Sequence, residues 1–260
     1  MSNLGDRMKL FESISNLHVM PLTPVCVRLD GKAFHSFTRG FGKPFDQVLK
    51  TCMEVTATEL LEAYNAKLAY TQSDEISLIF LQRGMNMNLV FSGRIQKICS
   101  ILASHATVAF NRTADKLDVE GAGKAMFDCR AWNLPNVIEC ANYLIWREQD
   151  AVRNSIQMAA RSVFSHKECT NKDSKDLQEM LFQKGINWND YPACFKRGTY
   201  IRNIKVKRKF TVEELCKLPE KHDARKYPEL EYDRTDTIQL DIPILNTIPI
   251  EDRVHRLFGD

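Results

Sequence analysis

Two short acidic stretches of the chain adjoin apolar runs that are typical of buried strands. Val25-Cys-Val-Arg-Leu-Asp30 ends in Asp30 and is followed by Gly31, while Gln72-Ser-Asp-Glu75 separates two further apolar runs. Carboxylates at neighbouring strand ends supply the hard oxygen ligands of a magnesium pair, which can clamp the attacking and leaving oxygens of a phosphoryl displacement. Aspartate is also common in turns. The alternative is therefore that Asp30 caps a strand end and that Asp74 is a turn residue.

The pattern around these acids predicts the elements that position them. Strand-like runs cover residues 25–30, 67–71, 76–81 and 126–132. Helical spacing follows the first run, starting near Pro44, and follows the third run from Ile95 to Ala109. This order predicts an α+β fold, the split β-α-β or ferredoxin-like unit that is also a polymerase palm, with an antiparallel sheet and helices on one face. Its first two strands run parallel, so Asp30 and Asp74 should share one sheet edge.

The second half of the chain has a different pattern. We predict a long helix over residues 143–164 with Val152, Ile156, Ala159 and Val163 on its inner face, and a shorter helix near Ser174. Alternation returns over residues 197–209, and Thr211-Val-Glu-Glu214 predicts a capping box. An extended tail should follow Lys221, with a strand near residues 237–240. We therefore expect a catalytic palm over residues 1–135 and a helical and β extension over residues 136–260, packed on it.

Composition limits the location and the metal chemistry. The formal net charge of +3 is too small to indicate a partner, and the eight cysteines include no C-x-x-C pair. Zinc is therefore not expected, and a reducing compartment fits these thiols. The chain begins without the apolar core of a secretory signal, and no apolar run reaches about 18 residues. We expect a cytoplasmic protein that does not cross a membrane, with a mitochondrial address lacking a cleavable signal left open.

Three blocks in order carry a family resemblance: Arg28-Leu-Asp-Gly-Lys-Ala-Phe-His35, Gly42-Lys-Pro-Phe-Asp46 and Tyr70-Thr-Gln-Ser-Asp-Glu75. Together with later blocks up to Thr199, they resemble the tRNA-histidine guanylyltransferase-like family of 3′-to-5′ RNA polymerases. That family extends the 5′ end of tRNA. The resemblance implies that a nucleoside triphosphate activates this end, which the 3′-hydroxyl of the incoming nucleotide then attacks. It also implies two Mg²⁺ ions, ATP and/or GTP, tRNA as partner, and a homotetramer assembled as a dimer of dimers.

By position, the resemblance implies roles for individual residues. The metal ligands would be Asp30, the carbonyl of Gly31, and Asp74, with Glu75 and Lys43 as further catalytic residues. The nucleotide contacts would come from two loops, comprising Asp30, Gly31, Lys32, Ala33, Phe34, His35, Lys43, Asp46, Ser73 and Asp74. Fixed positive charge suits a polyphosphate, and Arg28, Lys97 and Arg130 would supply it during activation.

A basic run near the end of the resemblance predicts an RNA surface. Residues 196–209 contain seven basic residues and no acid, and such a stripe can neutralise phosphates and release counterions. The alternative is a solvated edge strand whose lysines discourage pairing. The predicted RNA contacts are six residues of this run together with Arg94 and Asn154: Arg94, Asn154, Lys196, Arg197, Lys205, Lys207, Arg208 and Lys209.

One block departs from the family. Eukaryotic enzymes that guanylate tRNA-His carry His-Ile-Asn-Asn-Leu-Tyr-Asn where this chain has Val152-Arg-Asn-Ser-Ile-Gln-Met158, so only Asn154 is kept. This favours the members that repair truncated tRNA 5′ ends against the opposite strand as template. Addition of a single G to tRNA-His remains one alternative. A non-catalytic RNA-binding palm is the other, although a palm without catalysis has no reason to keep costly clustered acids.

Overall fold

The computed structural model describes residues 3–82, 84, 89–227 and 229–259, and its strands there form one antiparallel sheet. The sheet order is β4-β1-β3-β2-β5-β6. The first four strands have the ferredoxin-like arrangement that the sequence predicts, because β3 separates the parallel β1 and β2. The strands are β1 Val25–Gly31, β2 Leu68–Gln72, β3 Glu75–Phe80, β4 Phe127–Asn133, β5 Thr199–Lys209 and β6 Glu231–Leu240.

Helices cover both faces of this sheet. They are α1 Leu4–Glu12, α2 Phe34–Phe37, α3 Gln47–Tyr64, α4 Ile95–Lys116, α5 Val137–Arg161, α6 His166–Cys169, α7 Ser174–Gln183, α8 Ala193–Arg197, α9 Val212–Lys217, α10 Asp223–Lys226 and α11 Ile250–Phe258. Short 3-10 turns occur at Ser13–Ser15, Thr38–Gly40, Val90–Gly93, Trp188–Asp190 and Leu245–Thr247.

Alternating side chains of the strands divide the core into two layers. Val27 and Leu29 of β1 pack with α3 and α4, as predicted for the helices of the palm. Cys26 of the same strand faces the other way, toward Leu144 of α5 and Phe258 of α11. Successive strand residues point to opposite faces, so the extension covers the sheet face that the palm helices leave open. A third cluster joins α5 to α7.

Several predicted boundaries are wrong, for local reasons. Pro44 precedes α3, whose first turn is capped by the Asp46 carboxylate accepting from Val48 and Leu49. Helix α5 begins at Val137 because the Asn136 side chain caps it, well before the predicted residue 143. It also ends at Arg161, so Val163 lies outside it and is 41% exposed rather than on an inner face.

The C-terminal region is more ordered than the predicted extended tail. Strand β6 starts at Glu231 and pairs with β5 from Tyr200 to Lys209. The capping box of α9 is confirmed, because Thr211 and Glu214 exchange side-chain and backbone hydrogen bonds. Within the described ranges, no helix is long and apolar enough to cross a membrane.

Candidate active site

An acidic row crosses the end of three neighbouring strands. Asp30 of β1 lies directly opposite Glu75 of β3 and, on its other side, opposite Asp128 of β4. Directly opposed residues of antiparallel strands project from the same face, and this is the face that α5 covers. Asp128, which the sequence did not single out, is 53% exposed in its side chain. The row is therefore covered at Glu75 and open at Asp128.

A basic row lies two residues further into the same sheet face. Arg28 pairs in register with Arg130 of β4 and with Ser77 of β3. Two residues along a strand correspond to about 7 Å, so the guanidinium groups originate close behind the carboxylates. The Nε of Arg28 is buried and has no hydrogen-bond partner among the described groups. Acids at the edge with bases behind them suit a metal-bound polyphosphate.

The β2–β3 hairpin brings the second predicted metal ligand to this edge. The backbone N–H of Gly31 donates to the carbonyl of Asp74 over 3.0 Å, which joins the two acidic loops. Burial and the neighbouring Asp30 charge raise the pKa of Asp74, against smaller opposing effects of Ser73 and His35. Asp30, Gly31, His35, Ser73 and Asp74 are thus gathered at one place, as the sequence predicted.

The donor chemistry of this edge fits Mg²⁺. Neither Asp30 nor Asp74 forms an ion pair with a described residue, so both carboxylates are available to a cation. In the part of the chain that the structure describes, no group of three or more His, Cys, Asp or Glu side chains is arranged as a metal-ligand set. Mg²⁺ commonly uses one or two carboxylates and takes its remaining oxygens from water and substrate phosphates. Two carboxylates with a nearby main-chain carbonyl satisfy that requirement.

Glu75 stands behind this pair and is engaged elsewhere. It is 5% exposed, and Arg147 of α5 donates to both of its oxygens, from Nε over 2.8 Å and from a terminal nitrogen over 2.7 Å. Burial raises the pKa of Glu75 and Arg147 opposes that rise. The carboxylate is therefore committed to a cation of the protein. Arg147 lies in a resembling block, Tyr143 to Asp150, but no role was predicted for it, because a buried arginine within a helix has no local signal.

The loop after Asp30 is held by its own aromatic ring. Phe34 is buried at 3% exposure against Phe37, Phe110 and Phe127, so its ring anchors the loop to the core and leaves only its backbone for the predicted nucleotide contact. A Cβ on Gly31 would lie 2.3 Å from the Phe34 ring. The glycine is thus required by this ring. Lys32, Ala33 and His35 of the same loop are exposed.

Asp46 has a structural role that the resemblance did not include. One of its oxygens accepts from Val48 and Leu49, and the other accepts from the N–H of Gly42 over 2.7 Å. Both carboxylate oxygens are therefore used to cap α3 and to close the loop that carries Lys43. Lys43 itself is exposed and has no hydrogen bond or ion pair with the described residues, which leaves its ammonium available.

A cavity lies between the acidic edge and the part of α5 where the sequence departs from the family, residues 152–158. Its lining includes Ser73 of the hairpin, Asn154 of α5, and the rings of Phe45 and Phe195. These two rings are stacked, with centroids 5.1 Å apart. Asn154, a predicted RNA contact, therefore lies on the same cavity as the predicted nucleotide residue Ser73. Phe45 and Phe195 gave no signal in the sequence beyond their place in the resembling blocks.

One predicted RNA contact and one predicted triphosphate contact lie away from the acidic edge. Arg94 and Lys97 are at the start of α4, where they line a cleft with Lys9 and Glu12. Helix α4 packs on the sheet face opposite to Arg28 and Arg130. The structure therefore does not bring Lys97 to the other two residues predicted to bind the triphosphate, because the sheet stands between them.

The predicted RNA stripe is partly neutralised by its neighbours. Arg197 pairs with buried Glu148 over 3.2 Å, and Lys196 donates to the carbonyl of Asn189 over 2.6 Å. Arg208 pairs with Asp236 of β6, the strand that pairs with β5 along one side. Lys205, Lys207 and Lys209 remain exposed on one face of the β5–β6 ribbon. The usable surface is these three lysines. Because β2 pairs with β5 only from Thr199 to Arg202, the lysine segment keeps one edge that no described strand pairs with, and the solvated-edge alternative stays open.

A ferredoxin-like palm with paired carboxylates at its edge defines a class of nucleotidyltransferases, and comparison with known proteins assigns the family. The family model for tRNAHis guanylyltransferase matches residues 5–135. A probable tRNA(His) guanylyltransferase of Drosophila melanogaster is 30% identical over 72% of this chain and 70% of its own length. The chain therefore belongs to the tRNAHis guanylyltransferase family of tRNA nucleotidyltransferases, which confirms the resemblance seen in the sequence.

Solved structures agree with this assignment. A bacterial tRNA(His) guanylyltransferase-like protein in complex with ATP is 42% identical, with a TM-score of 0.73 over 77% of this chain and 88% of that one. A bacterial protein of the same description in complex with GTP is 33% identical, with a TM-score of 0.74 over 99% of both chains. The similarity supports nucleotide binding and tRNA processing by this chain.

Proposed function

We propose that this protein repairs the 5′ ends of truncated tRNAs by template-dependent 3′-to-5′ addition of nucleotides. The observation that carries the proposal is the edge where Asp30 and Asp74 meet, joined by the hydrogen bond from Gly31 to the Asp74 carbonyl. An activated 5′ end and an incoming nucleotide both bring polyphosphate to such an edge. ATP and/or GTP would serve as activating and added nucleotides, which agrees with the ligands named for the two similar bacterial proteins.

Each group at the edge has a task in this reaction. Asp30, the Gly31 carbonyl and Asp74 would hold two Mg²⁺ ions, which supply charge stabilisation for the attacking and leaving oxygens. Arg28 and Arg130 lie behind them, where fixed positive charge can bind the polyphosphate. The unpartnered Nε of Arg28 is a donor placed for an anion. Lys43, free on its closed loop, would approach the phosphates from the solvent side.

The setting of Val152 supports repair over selection of one tRNA. Val152 is half-buried and packs in the apolar cluster between α5 and α7. An apolar side chain in that place has no hydrogen bond to offer a base edge, and hydrogen bonds to base edges are how sequence is read. With that contact absent, pairing to the opposite tRNA strand becomes the remaining source of specificity.

A matrix of truncated tRNAs tests the proposal. The purified protein is given tRNAs lacking the first 5′ nucleotide and differing only in the base opposite the gap, each with one of the four nucleoside triphosphates. The inserted nucleotide should follow the template in several tRNAs, and addition should stop once the acceptor stem is filled. The Asp30→Ala variant is the control for activity from a contaminant.

Addition of a single G to tRNA-His is the second candidate, favoured by the retained Asn154 and by relatives that carry that name. Insertion of G regardless of template, confined to tRNA-His, would establish it and exclude repair. Binding of tRNA without any transfer would favour the non-catalytic palm. The homotetramer and the cytoplasmic location stay predictions.

A further inference from the structure

Arg147 is a buried cation that pairs with Glu75 of the acidic row, and its side chain is 8% exposed. We propose that Arg147 is a positioning residue for nucleotidyl transfer, because it holds Glu75 away from the metal-binding edge and fixes the hairpin that carries Asp74. The inference rests on the proposed transfer at Asp30 and Asp74. It adds a residue that touches neither the metal ligands nor the cavity.

The guanidinium of Arg147 donates hydrogen bonds to two carboxylates, those of Glu75 and Asp150. Nε and one terminal nitrogen meet the two oxygens of Glu75, and that terminal nitrogen also reaches Asp150 over 2.9 Å. The guanidinium lies 4.5 Å from the centre of the Trp146 ring. Planar two-point pairing with stacking is specific to arginine, since lysine offers a compact point charge. The geometry therefore holds one orientation of Glu75.

That orientation decides how many carboxylates reach the edge. Glu75 is opposite Asp30 in the β1–β3 pairing and adjacent in the chain to Asp74. Left unpaired, it would add a further negative charge to the edge or compete as a ligand. Paired with Arg147, it is neutralised and both of its oxygens are occupied. Arg147 thus removes Glu75 from the side chains that can bind a metal at the edge.

A second contact fixes α5 against the same strand. Tyr143, one helical turn before Arg147, shares a hydrogen bond of 2.8 Å with Ser77, which neighbours Glu75 on the same face of β3. Two contacts one turn apart define both the rotation and the height of the helix over the strand. Arg147 is therefore held in place before any substrate binds, as a supporting residue of a metal site must be.

The experiment measures metal dependence in matched variants of the full chain. Arg147→Met removes the pair, Arg147→Lys keeps the charge without the fork, and Arg153→Met removes an exposed arginine from the other side of Asp150. One readout is the Mg²⁺ concentration for half-maximal nucleotide addition. The other is the rise in melting temperature caused by Mg²⁺ and ATP without RNA, which needs no turnover.

Arg147→Met should raise the Mg²⁺ concentration for half-maximal addition, the Mg²⁺ midpoint, by about tenfold or more. Such a loss is typical when a supporting contact of a metal site is removed. Arg147→Lys should recover only part of the shift, and Arg153→Met should leave the midpoint unchanged. If Arg147→Met fails to fold, Arg147→Lys against Arg153→Met supplies the same comparison. An Arg147→Lys midpoint equal to that of the wild type would then overturn the proposal.

A double variant separates this role from general stabilisation. Because Arg147 acts through Glu75, Arg147→Met should add little shift in a Glu75→Gln background. An undiminished shift there, or equal midpoints and melting responses in wild type and Arg147→Met, would overturn the inference. A wild type that binds Mg²⁺ and ATP but transfers no nucleotide would contradict the proposed function alone, since the melting response still tests Arg147.

Discussion

Asp30 and Glu75 are direct partners in the pairing of β1 with β3, yet only Glu75 is held by a cation of the protein. The pair therefore divides two tasks between identical functional groups. Glu75 is neutralised and buried, and it maintains the shape of the edge. Asp30 has no ion pair among the described residues, so its carboxylate is available to a metal. Burial and the Asp30 charge raise the pKa of the neighbouring Asp74, which shows that the carboxylates of the edge repel each other.

Asp30→Ala and Asp74→Ala should each abolish nucleotide addition while leaving the fold intact. Each change removes a ligand whose charge stabilisation is worth several kcal/mol at the transition state. Because like charges at the edge repel, the melting temperature without metal should stay the same or rise slightly. Transfer and melting are measured together, with the exposed Asp115→Ala of α4 as control. Near-normal turnover in either edge variant would contradict the metal assignment.

Gly31→Ala should destabilise the protein, because its Cβ would meet the buried ring of Phe34 at 2.3 Å. Forcing extra volume into a packed position costs about 1–3 kcal/mol, and the ring cannot move without disturbing Phe110 and Phe127. Thermal unfolding measures the loss. Gly40→Ala is the matched control, since nothing lies within 4 Å of its new Cβ. Equal melting temperatures for the two variants would show that Phe34 is not tightly packed.

The sequence predicted the carboxylates of the acidic edge, but it did not predict the residues that hold them in place, and the reasons are physical. Asp30 and Asp74 are placed by strand periodicity and by the ferredoxin-like connection, both of which are visible in local patterns. The pairing of Arg147 with Glu75 joins residues 72 positions apart, and no spacing rule connects a helix interior to a hairpin. The same holds for Phe34, whose core role depends on Phe110 and Phe127 from other elements.

The lysines of β5 should contribute RNA affinity without tRNA selectivity. Replacing all three exposed lysines by alanine should weaken binding of different tRNAs about equally and flatten the salt dependence, because phosphate contacts carry little sequence information and release counterions. The variant changes Lys205, Lys207 and Lys209. Binding is measured over a series of salt concentrations.

Three exposed lysines elsewhere, replaced together, are the control for net charge: Lys116, Lys167 and Lys172. Their loss should have a smaller effect on the salt slope. Unchanged affinity and slope in the β5 variant would mean that Asp233 and Glu231, which lie opposite Lys207 and Lys209, already neutralise this face.

Glu148 should make stability depend on pH in a predictable direction. Its carboxylate accepts from the N–H of Leu245 and from Arg197, but burial outweighs these contacts and raises its pKa. A raised folded-state pKa means that the folded protein takes up the proton first, so this stabilisation is present at low pH and lost as pH rises through the folded pKa. Glu148→Gln cannot titrate.

Melting temperatures of wild type and Glu148→Gln, compared from about pH 4 to about pH 7, check the sign. The advantage of the wild type should be greatest at the acidic end and narrow as pH rises. The comparison cancels the titration of groups common to both proteins. An advantage that widens with pH would mean that Arg197 lowers the pKa more than burial raises it.

Asp46 offers a test between a structural and a nucleotide-binding role. Its two oxygens accept backbone N–H groups from Gly42, Val48 and Leu49. Asp46→Ala should lose the cap of α3, at a cost of about 0.5–2 kcal/mol, and release the loop that carries Lys43, so that nucleotide addition falls. Asparagine is also a good N-cap residue, so Asp46→Asn should keep most of the melting temperature and most of the activity. Thermal unfolding and transfer rates are measured for both variants beside the wild type. If Asp46→Asn keeps its melting temperature but loses activity as completely as Asp46→Ala, the charge of Asp46 acts on the substrate, and capping is not its main contribution.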